Sequence, residues 1–81
     1  KHEMTQGNAD IVLDARGLEP PGPLVRTMEA LDQLGPAEKL LVLLPREPYP
    51  LYRALELNGF CWQTVCRPDG TVEVLIQQRQ P

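Results

Sequence analysis

The sequence predicts an α+β fold, a two-layer α/β sandwich in which a four-stranded mixed sheet carries both helices on one face. Three observations predict it. Apolar segments follow the order β-α-β-α-β-β, all nine prolines lie outside the apolar cores of those segments, and a Pro68-Asp69-Gly70 turn joins the last two. One sheet with helices on a single face is the simplest arrangement that buries such stripes.

Asp10 to Ala15 is short and β-branched at its centre, so it reads as a strand. Gly17, Pro20, Pro21 and Gly22 forbid a regular element over Arg16–Gly22, and Pro23 suits the first turn of a helix, where its missing N–H is not needed. Leu24, Met28, Leu31 and Leu34 then recur at helical spacing, with Val25 widening the stripe. Gly35-Pro36 is expected to end this helix, glycine as a left-handed cap and proline as a block. Glu38 to Leu44 is a continuous apolar run after two charged residues, suited to a strand in the sheet interior. Pro45 to Pro50 is too rich in proline for an element. Leu51, Ala54, Leu55 and Asn58 share one face of a second helix closed by Gly59. Phe60–Arg67 and Thr71–Gln78 are strand-like and form a hairpin.

Composition bounds the function. With 81 residues there is room for one domain, expected over 10–79 behind a polar flexible leader over 1–9. Hydrophobic residues at 42% and charged residues at 23% argue for a folded chain. Eight Lys+Arg against eleven Asp+Glu give a net charge of −3, and a nucleic-acid partner would call for a basic excess. The longest apolar run is Leu40–Leu44, far below the roughly 20 residues that cross a bilayer. A cytoplasmic protein without membrane or nucleic-acid partners is therefore expected. Two cysteines and one distant histidine, His2, make a metal site within this chain improbable. No cofactor is implied. No acid/base pair at catalytic spacing is identifiable, so nothing in the residues points to an enzyme.

The hairpin fixes the cysteine geometry. If Arg67 pairs with Thr71, then Cys66 faces Val72, Thr64 faces Val74 and Trp62 faces Ile76. Phe60, Trp62, Thr64 and Cys66 then share the buried face, while Cys61, Gln63, Val65 and Arg67 point away. The thiols lie on opposite faces about 16 Å apart along the strand, so they cannot pair with each other. Cys66 reads as a small buried hydrophobe and Cys61 as the accessible thiol. Val65 and Leu75 on the open face are the residues that would support a dimer.

A β-α-β unit is a right-handed crossover with parallel strands, so both loops after the first two strands leave at the same sheet edge. Arg16–Pro23 lies beside Pro45–Pro50, at the carboxyl ends of strands and the amino ends of two helices, a place suited to ligands. Arg16, Arg46 and Arg53 lend that edge positive charge, opposed by Glu19 and Glu47. Asp14 and Arg16 read first as a local ion pair, Tyr52 as a core residue and Tyr49 as a recognition aromatic.

The run Leu13-Asp14-Ala15-Arg16-Gly17-Leu18-Glu19-Pro20-Pro21-Gly22-Pro23-Leu24 resembles the signature of the TusA/SirA-like sulfur-carrier superfamily, Leu-Asp-x-Arg-Gly-Leu-x-Cys-Pro-x-Pro. The resemblance covers Asp10 to Gln78 and implies a sheet whose last strand is inserted antiparallel among the others. In that superfamily the motif cysteine carries a persulfide at a helix amino terminus, where a thiolate is favoured. Here the position is Pro20, which has no sulfur and no ionisable group. An uncharacterised branch, catalogued as a domain of unknown function, resembles the chain more closely. It replaces the cysteine by proline and adds a second motif, visible as Glu47-Pro48-Tyr49-Pro50-Leu51. Members of that branch often place histidine just before the second motif, which implies metal or haem ligation; here that residue is Arg46.

These readings converge on a non-catalytic binding module that engages a protein partner or a small anionic ligand at the motif edge. The expected contacts are Arg16, Gly17, Pro20, Pro21, Gly22, Arg46, Tyr49 and Arg53. The alternatives are a sulfur-carrier or thiol redox protein acting through Cys61 and a haem- or metal-linked accessory protein.

Overall fold

The computed structural model describes residues 9–79. Of the leader expected over 1–9, all but Ala9 lies outside the described residues. The elements are β1 (Ile11–Asp14), α1 (Gly22–Asp32), β2 (Lys39–Leu44), α2 (Tyr49–Leu57), β3 (Phe60–Cys66) and β4 (Val72–Gln78). The expected order holds throughout.

The strands lie in the order β1-β2-β4-β3, with β1 parallel to β2 and both other pairings antiparallel. β4 is thus inserted between β2 and β3, as the family resemblance implies. The hairpin register is the one the turn predicts, with Cys66 opposite Val72, Thr64 opposite Val74 and Trp62 opposite Ile76. Gly70, at φ 95°, provides the left-handed residue that lets the Arg67 N–H reach the Thr71 carbonyl at 2.8 Å.

Strand alternation sorts the sheet into two faces. On the helical face Leu40, Val42 and Leu44 of β2 and Val72, Val74 and Ile76 of β4 meet Leu31 and Leu34 below α1 and Leu51 and Leu55 of α2 in one buried cluster. Leu41 and Leu43 point to the other face and are buried there as well, at 0% and 5% exposure. This is why Leu40–Leu44 is apolar without interruption: β2 is an interior strand that hides both sides.

Four local expectations are corrected. Val25 is 47% exposed; the α1 stripe passes instead through Thr27, fully buried, whose hydroxyl donates to the Pro23 carbonyl at 2.7 Å. Gly35 is not a left-handed cap, since positive φ among the described residues occurs only at Gly59 and Gly70. α1 ends at Gln33 in right-handed geometry, and the Gly35 N–H goes to the Glu38 carboxylate at 2.7 Å. α2 begins at Tyr49, two residues before the expected Leu51, because Pro50 in the first turn sacrifices no hydrogen bond. Cys66 is exposed rather than buried and Cys61 is half-buried, so the expected accessibility of the two thiols is inverted. Cys66 shares the helical face, but it ends an edge strand beside Tyr49, which is itself 67% exposed.

Among the described residues no helix is long and apolar enough to cross a membrane.

Candidate functional site

The loop after β1 is pinned before it turns. The Ala15 N–H donates to the Leu43 carbonyl at 2.9 Å, holding the strand end against β2, and Ala15 is fully buried. The Asp14 carboxylate accepts the Arg16 backbone N–H at 3.1 Å and the guanidinium at 2.9 and 2.7 Å, a two-pronged grip across two residues. That grip lowers Asp14 from 3.8 to about 2 and raises Arg16. Arg16 therefore belongs to the expected local ion pair. The loop then passes through a cis Pro20–Pro21 bond, and the Gly22 N–H closes onto the Glu19 carbonyl at 2.7 Å.

The loop after β2 is organised by Glu47. Its carboxylate accepts the Tyr49 hydroxyl at 3.0 Å and the Tyr52 hydroxyl at 3.2 Å, and Tyr52 also shares a hydrogen bond with the Thr64 hydroxyl at 2.7 Å. The hydrogen bond to Glu47 raises Tyr49; burial is the main cause of the rise at Tyr52. Tyr49 meets Tyr52 edge-on, and Tyr52 stacks on Trp62 with ring centroids 5.4 Å apart. Tyr52 is thus tied to the core while Tyr49 stays at the surface.

Because β1 and β2 run parallel, the two loops leave the sheet side by side and enclose a cavity of about 620 Å³. Its walls are Pro20, Pro21 and Pro23 from the first loop and α1, Pro45, Pro48 and Pro50 from the second loop and α2, and Leu18, Leu24, Leu44 and Leu51. Glu19, Arg46 and Glu47 are the ionisable groups that line it. This size falls in the range of small-molecule and side-chain pockets.

Of the expected contact residues, Pro20, Pro21 and Arg46 stand on this wall, whereas Arg16, Gly17, Gly22, Tyr49 and Arg53 do not. Gly22 serves it indirectly: a Cβ there would come within 3.3 Å of the Leu18 Cβ, so glycine lets the Leu18 wall pack down. Leu18, Pro23, Pro45, Pro48 and Pro50 lie in the two loops expected to form this edge but were not singled out as contacts, and Leu24, Leu44 and Leu51 were not among the expected contacts. Their signal was the clustering of prolines on two loops that topology brings together.

The lining is poor in groups for chemistry. It contains no thiol, hydroxyl or imidazole, and Cys61 faces the opposite side of the sheet. The helix starts offer an anion little, because Pro23 and Pro50 have no N–H. The Tyr49 N–H is turned to the Glu47 carbonyl at 3.2 Å and the Leu51 N–H to the Pro48 carbonyl at 2.9 Å. Among the described residues no three His, Cys, Asp or Glu side chains gather as metal ligands would.

Residues 12–78 match the family described as Uncharacterized conserved protein (DUF2249). Among solved structures, the SirA-like protein from Desulfitobacterium hafniense is similar, at 29% identity and a TM-score of 0.76, over 86% of this chain and 99% of that one. No curated protein matches.

Proposed function

This chain belongs to the DUF2249 family and has the SirA-like fold, and on that premise we propose that it is a non-catalytic binding module whose site is the proline-walled cavity at the motif edge. The observation that carries the reading is the cavity itself. Both motif loops build it, and the position that would hold the superfamily's sulfur is Pro20, an apolar piece of its wall.

Two occupants are compatible with the motif edge, a protein partner or a small anionic ligand, and the geometry favours the first. Arg16 is engaged by Asp14, Glu19 and Glu47 share the lining with Arg46, and at the helix starts Pro23 and Pro50 have no N–H while those of Gly22, Tyr49 and Leu51 are already bonded. An apolar side chain of a partner protein suits leucine and proline walls far better than a phosphate or carboxylate would. Arg46, which has no hydrogen-bond or ion-pair partner among the described residues, would then meet an acceptor at the rim.

Methyl-resolved NMR with two probes tests this. Indole, neutral and apolar, is expected to shift Leu18, Leu24, Leu44 and Leu51, while inorganic phosphate leaves them in place. Shifts of those leucines by phosphate would replace the apolar occupant by an anion. Indole shifts confined to the helix-free face of the sheet would remove the cavity from the function.

A further inference from the structure

The two outer strands of the sheet differ in how they meet solvent. β1 is four residues long and is closed by acids at both ends, Asp10 and Asp14. β3 is seven residues, Phe-Cys-Trp-Gln-Thr-Val-Cys, with no charge and no proline. Its pairing with β4 runs unbroken from Phe60–Gln78 to Cys66–Val72, so no bulge twists it away. Short length, charge, proline and bulges are the devices that keep a sheet edge from recruiting another strand, and β3 has none of them.

The hydrogen-bond phase says which groups are free. The Arg67 N–H donates to Thr71 and the Arg79 N–H to Gly59, so the odd-numbered residues of β3 bond inward to β4. The even-numbered residues, Phe60, Trp62, Thr64 and Cys66, therefore turn their backbone N–H and C=O groups outward. Among the described residues only one of these groups is contacted, the Phe60 carbonyl, by Arg79 at 3.4 Å.

We propose that β3 pairs antiparallel with β3 of a second copy of this chain across a two-fold axis at Gln63, making one continuous sheet through both copies. The strand is complementary to itself in this register. Phe60 lies opposite Cys66 of the second copy and Trp62 opposite its Thr64, so each large side chain meets a small one on the helical face. On the helix-free face Cys61 lies opposite Val65 of the second copy, and Gln63 meets its own counterpart. All four outward-bonding residues then fall opposite one another and exchange up to about eight backbone hydrogen bonds. A self-complementary patch closes as a dimer rather than growing as a fibre, because each copy spends its one open edge.

Sedimentation velocity over a concentration series tests the pairing. The chain is expected to pass from monomer to dimer as concentration rises. Gln63→Lys and Gln63→Glu each set like charges across the axis and should weaken the dimer by about tenfold or more, while their equimolar mixture should recover it. Gln63 is exposed, so both variants keep the fold, which circular dichroism checks. A Val65→Cys variant in a Cys66→Ser background should form a disulfide-linked dimer with Cys61 under a copper–phenanthroline oxidant. A chain that stays monomeric, a mixture that does not recover, or a dimer indifferent to charge at Gln63 would each overturn the proposal.

Discussion

The two faces of the sheet are built from the same strands and reach different solutions. Across the helical face the rows read Ile11, Leu40, Ile76, Trp62 and then Leu13, Val42, Val74, Thr64, apolar almost from edge to edge. Across the other face they read Val12, Leu41, Leu75, Gln63 and Asp14, Leu43, Glu73, Val65, with buried leucines at the centre and exposed or polar ends. One face is sealed by helices, whereas the other buries only Leu41 and Leu43 of β2 and Glu73 of β4. Glu73 is buried there because Arg67, opposite Thr71 at the hairpin, reaches back to its carboxylate. The difference shows that a strand buried on both sides, as β2 is over Leu40–Leu44, reads apolar throughout, while β4, interior as well, carries Glu73 and Gln77 where no helix covers it.

That contrast can be pressed with substitutions. Leu55→Ala empties a fully buried site between α2 and the sheet and should cost about 3–5 kcal/mol in urea unfolding. Leu41→Ala, equally buried but between Val12 and Leu75, should cost less, about 2–3 kcal/mol, because its neighbours have freedom to close over it. Equal losses would make the helix-free face a second core. Tyr52→Phe keeps the stack on Trp62 but removes the hydroxyl shared with Glu47 and Thr64, a loss of about 1 kcal/mol. Val65→Thr, on a half-exposed edge residue, should stay within about 0.5 kcal/mol.

The smallest effect is read as a titration. Asp14, at the polar end of its row, is held at about 2 rather than 3.8 by Arg16. Its folded value lies below its unfolded one, so whatever the pair adds to stability is complete above pH 4 and is lost as pH falls through about 2. Carboxyl-carbon NMR should place the Asp14 midpoint there, and Arg16→Ala should return it toward 3.8.

Much of the architecture was legible in the residues. Proline placement and apolar spacing gave the element order, the Pro68-Asp69-Gly70 turn gave the hairpin register, and the parallel β1–β2 pair put both motif loops at one edge. What was missed depends on how far neighbours reach. Alternation assigns Cys66 to the helical face, but it says nothing of where the cover of α2 stops. Threonine in a helix reads as polar until its hydroxyl is seen bonded to Pro23 one turn back. At the site, the arginines drew notice as charges, whereas apart from Pro20 and Pro21 the prolines were read as punctuation. The loops reverse that emphasis: Asp14 occupies Arg16, and the prolines become the surface.

The six rings that face the cavity have one further consequence. Each proline has its φ fixed by its own covalent ring and carries almost no side-chain rotamer freedom. A guest arriving there meets walls with few torsions left to freeze, so contact energy is spent little on ordering the host. Recognition at this edge should accordingly be rapid, with a backbone nearly superimposable before and after the encounter.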